Sequence, residues 1–306
     1  VDLLTVSGTT TTVALTGATD LTITDIAGSV MTSLDASAMT GKFVGTLSVA
    51  DDIAVKLAVD SSTINFGTTL NNADSVVGGA GAADILSATV TGLAAATGAL
   101  TISAVETVNL TTSGNNALNL AGVTGATTVA VTDNVQTITG LDLATSITLG
   151  LAGDASGTAS EIDVTAADST GSADTLKVVI ENTLGATTSI IDASGIETLA
   201  LTQVDAANNS TLDLTTFEGA SITVDAKAGV TVTSGEVALG TLHANTNTVT
   251  STFIGDFATS FASSTAASTF TGAGTSIQTI TGSGYADTFN VGSTTAVTHV
   301  IAGGAG

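Results

Sequence analysis

Short runs in which apolar and polar residues alternate recur along the whole chain. Thr12-Val13-Ala14-Leu15-Thr16, Leu21-Thr22-Ile23-Thr24, Thr127-Thr128-Val129-Ala130-Val131-Thr132 and Ser221-Ile222-Thr223-Val224 all follow a period of two. That period puts alternate side chains on opposite faces of a strand, and the Gly, Asn and Asp residues between runs supply turns. The pattern predicts an all-β chain. Two Ala-rich patches, Leu93-Ala94-Ala95-Ala96 and Phe257-Ala258-Thr259-Ser260-Phe261-Ala262, break the alternation and are read as a helical turn or a loop.

Self-similarity refines this picture. Gly-x-Ala-Asp-x-[Leu/Phe] occurs as Gly81-Ala82-Ala83-Asp84-Ile85-Leu86, Gly171-Ser172-Ala173-Asp174-Thr175-Leu176 and Gly284-Tyr285-Ala286-Asp287-Thr288-Phe289. Val105-Glu106-Thr107-Val108-Asn109-Leu110 follows the first copy and Ile196-Glu197-Thr198-Leu199-Ala200-Leu201 the second, with Glu106 22 residues after Asp84 and Glu197 23 after Asp174. Residues 1–306 are therefore read as one elongated repetitive β region with diverged units of about 90 residues. Many short strands with recurring turns predict a parallel β-solenoid, a β-helix-like rod of coils of roughly 20 to 30 residues. Tandem β-sandwich domains are the alternative architecture, since strands spaced roughly 8 to 12 residues apart suit both.

Composition supports a thin, repeated core. With 8 Phe, 1 Tyr and no Trp, burial must come from stacked Val, Ile, Leu, Ala and Thr methyl groups. Gly is abundant at 34 residues and Pro is absent, so no residue removes a backbone donor from a ladder. The 4 cations, Lys42, Lys56, Lys177 and Lys227, face 27 Asp and Glu, for a formal charge of −23. Four scattered Lys cannot form the basic stripe that a nucleic-acid backbone requires, so nucleic acid is not expected as a partner. The absence of Cys is compatible with export and does not demand it, and no segment has the uninterrupted apolar length of a leader or a membrane span.

The strongest local motif is Asn72-Ala73-Asp74-Ser75-Val76-Val77-Gly78-Gly79-Ala80-Gly81-Ala82-Ala83-Asp84-Ile85-Leu86. It resembles the RTX nonapeptide, Gly-Gly-x-Gly-x-Asp-x-apolar-x, with Asp74 and Asp84 10 residues apart where the nonapeptide has 9. In that pattern, glycines make tight turns whose carbonyls face an ion, Asp supplies charge and the apolar residue enters the core. A second candidate is Thr281-Gly282-Ser283-Gly284-Tyr285-Ala286-Asp287-Thr288-Phe289, and Ala302-Gly303-Gly304-Ala305-Gly306 looks like the first half of another repeat. Residues 281–306 are thus read as the start of a truncated RTX-like repeat, with the native polypeptide expected to continue. Together with the Glu-bearing units, these motifs resemble RTX-type bacterial surface-layer (S-layer) proteins.

That resemblance implies calcium (Ca2+) as the bound ion, with Asp74, Gly79, Gly81, Asp84, Asp174, Gly282, Gly284 and Asp287 as metal-site residues. It implies a secreted, extracellular cell-surface protein that assembles with itself into a lattice or filament, a cell-surface glycan being a further partner through another region. Glu106 and Glu197 are read as solvent-facing. His243 and His299 have no Cys or His partner at metal spacing and no triad neighbours, so they are read as exposed or loop residues, and the chain as no enzyme. The alternative function is an RTX adhesin or ligand-binding segment, including ice binding through Thr rows such as Thr9-Thr10-Thr11-Thr12 and Thr246-Asn247-Thr248-Val249-Thr250.

Overall fold

A computed structural model describes residues 3–6, 9–28, 30–49, 52–90, 98–112, 116–132, 135–143, 146–150, 161–166, 168, 173–180, 188–203, 210–214, 221–226, 230–234, 239–244, 251–255, 257–260, 268–272, 279–281, 284–291 and 300–302. These residues contain strands and turns and no helix. Consecutive strands alternate between sheets, and each strand pairs in parallel with one a coil away, so the chain is a parallel β-solenoid. Tandem β-sandwiches, built from antiparallel pairs, are thereby overturned. Phe257–Ser260 is a strand and neither a helical turn nor a loop. Leu93–Ala96 and Thr246–Thr250 lie outside the described residues.

The chain divides into two compact units, Val1–Thr145 and Ser146–Gly306. The first contains β1 (Leu4–Val6), β2 (Thr12–Gly17), β3 (Leu21–Gly28), β4 (Ser33–Met39), β5 (Phe43–Leu47), β6 (Ala54–Lys56), β7 (Thr63–Asn65), β8 (Ser75–Val77), β9 (Ile85–Val90), β10 (Thr101–Ser103), β11 (Thr107–Thr112), β12 (Asn116–Asn119), β13 (Val123–Thr124), β14 (Thr128–Thr132) and β15 (Val135–Leu141). Its sheet A runs β1-β3-β5-β7-β9-β11-β14, its sheet B β13-β10-β8-β6-β4-β2, and β12 pairs with β15 in sheet C.

The second unit contains β16 (Ser146–Gly150), β17 (Glu161–Ala166), β18 (Thr175–Ile180), β19 (Thr188–Ser194), β20 (Thr198–Gln203), β21 (Ser210–Leu214), β22 (Ser221–Ala226), β23 (Val230–Ser234), β24 (Leu239–Ala244), β25 (Ser251–Gly255), β26 (Phe257–Ser260), β27 (Ser268–Gly272), β28 (Thr279–Thr281), β29 (Thr288–Val291) and β30 (Val300–Ala302). Even-numbered strands form its sheet A and odd-numbered strands its sheet C. His243 lies within β24, in register with Thr223 and Ser260, and not in a loop, whereas His299 lies outside the described residues.

Parallel register turns the period-two pattern into columns that run from coil to coil. On the inner side of sheet A in the first unit, Ile23, Gly45, Ile64, Leu86, Val108 and Val129 are successive partners. On the inner side of sheet B, Val13, Leu34, Val55, Val76, Ile102 and Val123 stack in the same way. A Cβ built on Gly45 would lie 2.6 Å from the Phe43 ring, so glycine opens the column there for one of the largest buried side chains among the described residues. Each fully buried Val, Leu or Ile contributes about 1.5–3 kcal/mol relative to an exposed one. Repetition thus builds the core that few aromatics could not.

The outer side of sheet A in this unit shows a second regularity. Thr22, Val44, Thr63, Ile85, Thr107 and Thr128 form one outward column, and Thr46, Asn65, Ser87, Asn109 and Ala130 form the next. None of these residues is charged. The corresponding outward column of sheet B includes Asp35 and Lys56, 3.6 Å apart, with the exposed Val77 beside them.

Candidate functional site at the coil corners

In the first unit, residues flanking the strands carry specific polar chemistry. Asp20, Lys42, Ser62, Asp84, Glu106 and Thr127 each stand immediately before a sheet A strand, at the corner where a coil turns into that sheet. The side chains of Asp20, Ser62, Asp84 and Glu106 accept hydrogen bonds from backbone N–H groups of the adjacent coil, whereas the Thr127 hydroxyl donates to the Glu106 carbonyl at 3.1 Å. The Lys42 N–H donates to Asp20 Oδ1 at 2.9 Å and the Phe43 N–H to Ser62 Oγ at 3.2 Å. The Ser62 N–H donates to Asp84 Oδ1 at 2.7 Å, and the Asp84 N–H to Glu106 Oε2 at 2.7 Å.

Asp84 is wholly buried, with 0% of its surface exposed. Its second oxygen, Oδ2, accepts the Gly79 N–H at 2.7 Å, so both oxygens are engaged, one with the neighbouring coil and one with its own turn. Asp74 repeats the arrangement at the sheet B corner and is 2% exposed. There Oδ1 accepts the Ile53 N–H from the preceding coil and Oδ2 accepts the Asn71 N–H from the same turn, both at 2.8 Å. Each carboxylate joins two coils by satisfying donors that burial would otherwise leave unpaired.

Burial pushes both carboxyls above the ordinary value, because it penalises the charged form. For Asp84, the Ser62 and Gly79 donors oppose that shift while the charges of Glu106 and Asp60 add to it. For Asp74, the Ile53 and Asn71 donors oppose it and Asp52 adds to it. Asp35 moves the other way, lowered first by hydrogen bonds from Ser37 and then by Lys56.

The motif glycines do not share one role. A Cβ on Gly79 would lie 1.7 Å from the Ala58 carbonyl oxygen, and one on Gly81 2.6 Å from the Ser61 nitrogen. These two positions let the turn before Asp84 lie directly on the preceding coil. Gly284 has nothing within 4 Å of such a Cβ, and Gly282 lies outside the described residues.

The three Gly-x-Ala-Asp copies also diverge. Asp84 precedes β9 and Asp174 precedes β18, both sheet A strands, whereas Asp287 precedes β29 of sheet C. Asp174 keeps the acidic neighbour: its N–H donates to Glu197 Oε2 at 2.8 Å. Its Oδ2 is buried without a hydrogen-bond partner among the described residues. Asp287 is half-buried, and its N–H donates to the Tyr285 carbonyl at 2.9 Å.

Glu106 and Glu197 correct the expectation of solvent-facing carboxylates. Both are half-buried, and each accepts the N–H of the aspartate one coil before it. Their spacings of 22 and 23 residues are single coils. Ser62 was not singled out by motif reading, although a polar residue recurring every 20 to 22 positions before a strand marks it.

The residues fit calcium unequally. At Asp74 and Asp84 each carboxylate oxygen already accepts one backbone N–H, which leaves one lone-pair direction per oxygen. Asp174 differs, because its orphaned oxygen is an acceptor of the kind a hard cation uses. No group of three or more His, Cys, Asp or Glu among the described residues is placed to hold a metal ion, so a shell at Asp174 would be completed by carbonyls or water. No protein-family model, curated protein or solved structure matches this chain.

Proposed function

We propose that the chain is a structural protein of the bacterial cell exterior, whose copies associate into an S-layer-like array or filament stabilised by calcium. The observation that carries this reading is the use to which the fold puts its polar residues. In the first unit, the buried Asp74 and Asp84 and the half-buried Glu106 join coil to coil, and the parallel register continues from one coil to the next. Such a scaffold suits a load-bearing or lattice-forming role. The RTX-like motifs supply the expectation of export and of calcium.

Calcium acts in this reading in two places. It neutralises exposed carboxylates, including Asp20, Asp52 and Asp60, when acidic copies approach, and it contacts the orphaned oxygen of Asp174. Electron microscopy of the purified chain with calcium, and again after EDTA, tests the proposal. Ordered sheets or fibres that disperse on chelation are expected. Particles that remain single at every calcium concentration refute it.

A further inference from the structure

We propose that Asp25, in a bulge of β3 on the outer side of sheet A, is a ligand of a hard divalent cation, calcium above others. The site lies on a strand, outside the Gly-rich turns, and rests on the calcium reading above for the identity of its ion. Between the buried Ile23 and Ile26, β3 carries two residues, Thr24 and Asp25, where its partner β5 carries Thr46 alone between Gly45 and Leu47. The following coils keep the one-residue spacing, with Asn65 between Ile64 and Phe66, Ser87 between Leu86 and Ala88, and Asn109 between Val108 and Leu110. One inserted residue thus sets a carboxylate beside a column whose other members, Thr46, Asn65, Ser87 and Asn109, are uncharged. Bulges of this kind re-aim a side chain and are common next to functional sites.

The inserted carboxylate is incompletely satisfied. Asp25 is half-buried, and its Oδ1 is buried and accepts no hydrogen bond. The corner carboxylates of the same unit differ, since both oxygens of Asp74 and of Asp84 accept an N–H. A buried acceptor left without a donor is unfavourable, and native proteins fill such positions with ordered water or an ion. Among the described residues the one salt bridge joins Lys56 to Asp35 on sheet B, so no cationic side chain neutralises Asp25.

The chemistry around the bulge suits a hard cation. Thr24 shares the bulge, Thr46 stands across from it and Asn65 stands one coil further on, so every neighbouring polar residue of the column bears oxygen. Calcium takes about 6–8 oxygen ligands in flexible geometry, with water completing the shell, whereas magnesium demands a near-ideal octahedron. The irregular spacing of a bulge therefore favours calcium. No group of three or more His, Cys, Asp or Glu among the described residues is placed to hold a metal ion, so a single carboxylate sets the charge of the site. Sites with so little ligand charge bind calcium at roughly 10⁻⁴–10⁻³ M.

Amide hydrogen exchange tests the assignment on the full chain, titrated with calcium chloride at a protein concentration where light scattering shows single particles. Exchange over β3 and β5 of wild type should slow by about threefold or more, with a midpoint at about 1 mM, and less in magnesium chloride. Asp25→Asn keeps the size of the side chain and removes its charge, and deletion of Asp25 restores the one-residue spacing of the other coils. Both variants should fold without calcium by circular dichroism and lose the response, while Asp174→Asn should keep it. Wild-type exchange over β3 that calcium leaves unchanged, or an equal response in Asp25→Asn, overturns the site. If β3 is silent while the segment from Asp174 through β18 responds, Asp25 is no ligand and the calcium reading stands. If neither segment responds, both fall.

Discussion

Replacing Asp84 isolates what a buried corner carboxylate does. In Asp84→Ala, the Ser62 and Gly79 N–H groups lose acceptors at 2.7 Å in a corner where Asp84 itself is fully buried. A buried donor left unpaired costs about 1–3 kcal/mol, and some of that is returned because an unfavourably buried charge disappears with the side chain. The net destabilisation expected is about 2–4 kcal/mol. Asp84→Asn keeps one acceptor and turns an NH₂ group toward the other donor, so about 1–3 kcal/mol is expected. Urea denaturation ranks the variants, and amide hydrogen exchange at Ser62 and Gly79 localises the change.

The pH dependence supplies an independent sign. Asp84 is raised above its ordinary 3.8, so the folded chain holds this proton more tightly than the unfolded chain does. Its contribution to stability is complete below 3.8 and is lost as pH rises through the folded value. Wild type should therefore lose stability relative to Asp84→Asn across that interval. General relief of acidic repulsion at low pH acts on both proteins and cancels in the comparison. Unchanged exchange at Ser62 and Gly79 in Asp84→Ala, or identical pH slopes for wild type and Asp84→Asn, would refute the reasoning.

Three further outcomes follow from the same geometry. Gly79→Ala drives a methyl into the Ala58 carbonyl and should cost about 3 kcal/mol or more, whereas Gly284→Ala enters open space and should shift the urea midpoint little. Phe43→Ala empties the space above Gly45 and should cost about 3–5 kcal/mol by the same assay. Glu106→Gln retains an acceptor for the Asp84 N–H but removes a charge that raises Asp84, so the Asp84 carboxyl should titrate lower by NMR, and an unaltered titration would contradict the pairing.

The strands were legible because their side chains alternate over most of the chain and the solenoid's inner columns are simply the apolar half of that alternation. Ile64, Leu86 and Val108 fall on the apolar half of that alternation, and they are wholly buried. Coil length was also present in the spacing of Asp84 and Glu106, though it entered the reading as a detail within a 90-residue unit. The hydrogen bonds at the corners were not legible. A carboxylate that accepts an N–H from residue 62 or 53 is specified by which turn lies beneath it, and that follows only once the coil register is known.

The Gly-Gly-x-Gly motif is ambiguous for a physical reason. A calcium turn and a coil corner both need glycine where backbone approaches closely and aspartate where positive charge or a donor must be met. Composition cannot separate them, and the hydrogen bonds of the carboxylate oxygens show only which donors each one already meets. At Asp84 two N–H donors fill that role, with Gly79 both supplying one and permitting contact with Ala58. At Asp174 the same motif leaves Oδ2 without a described partner while retaining the glutamate of the next coil. Calcium titration of wild type and Asp174→Asn therefore distinguishes the two uses within one chain. If Asp174 holds the ion, its substitution should weaken binding at least tenfold while Asp84→Asn alters stability with little effect on affinity. Equal calcium affinity in wild type and Asp174→Asn would return Asp174 to a purely structural role.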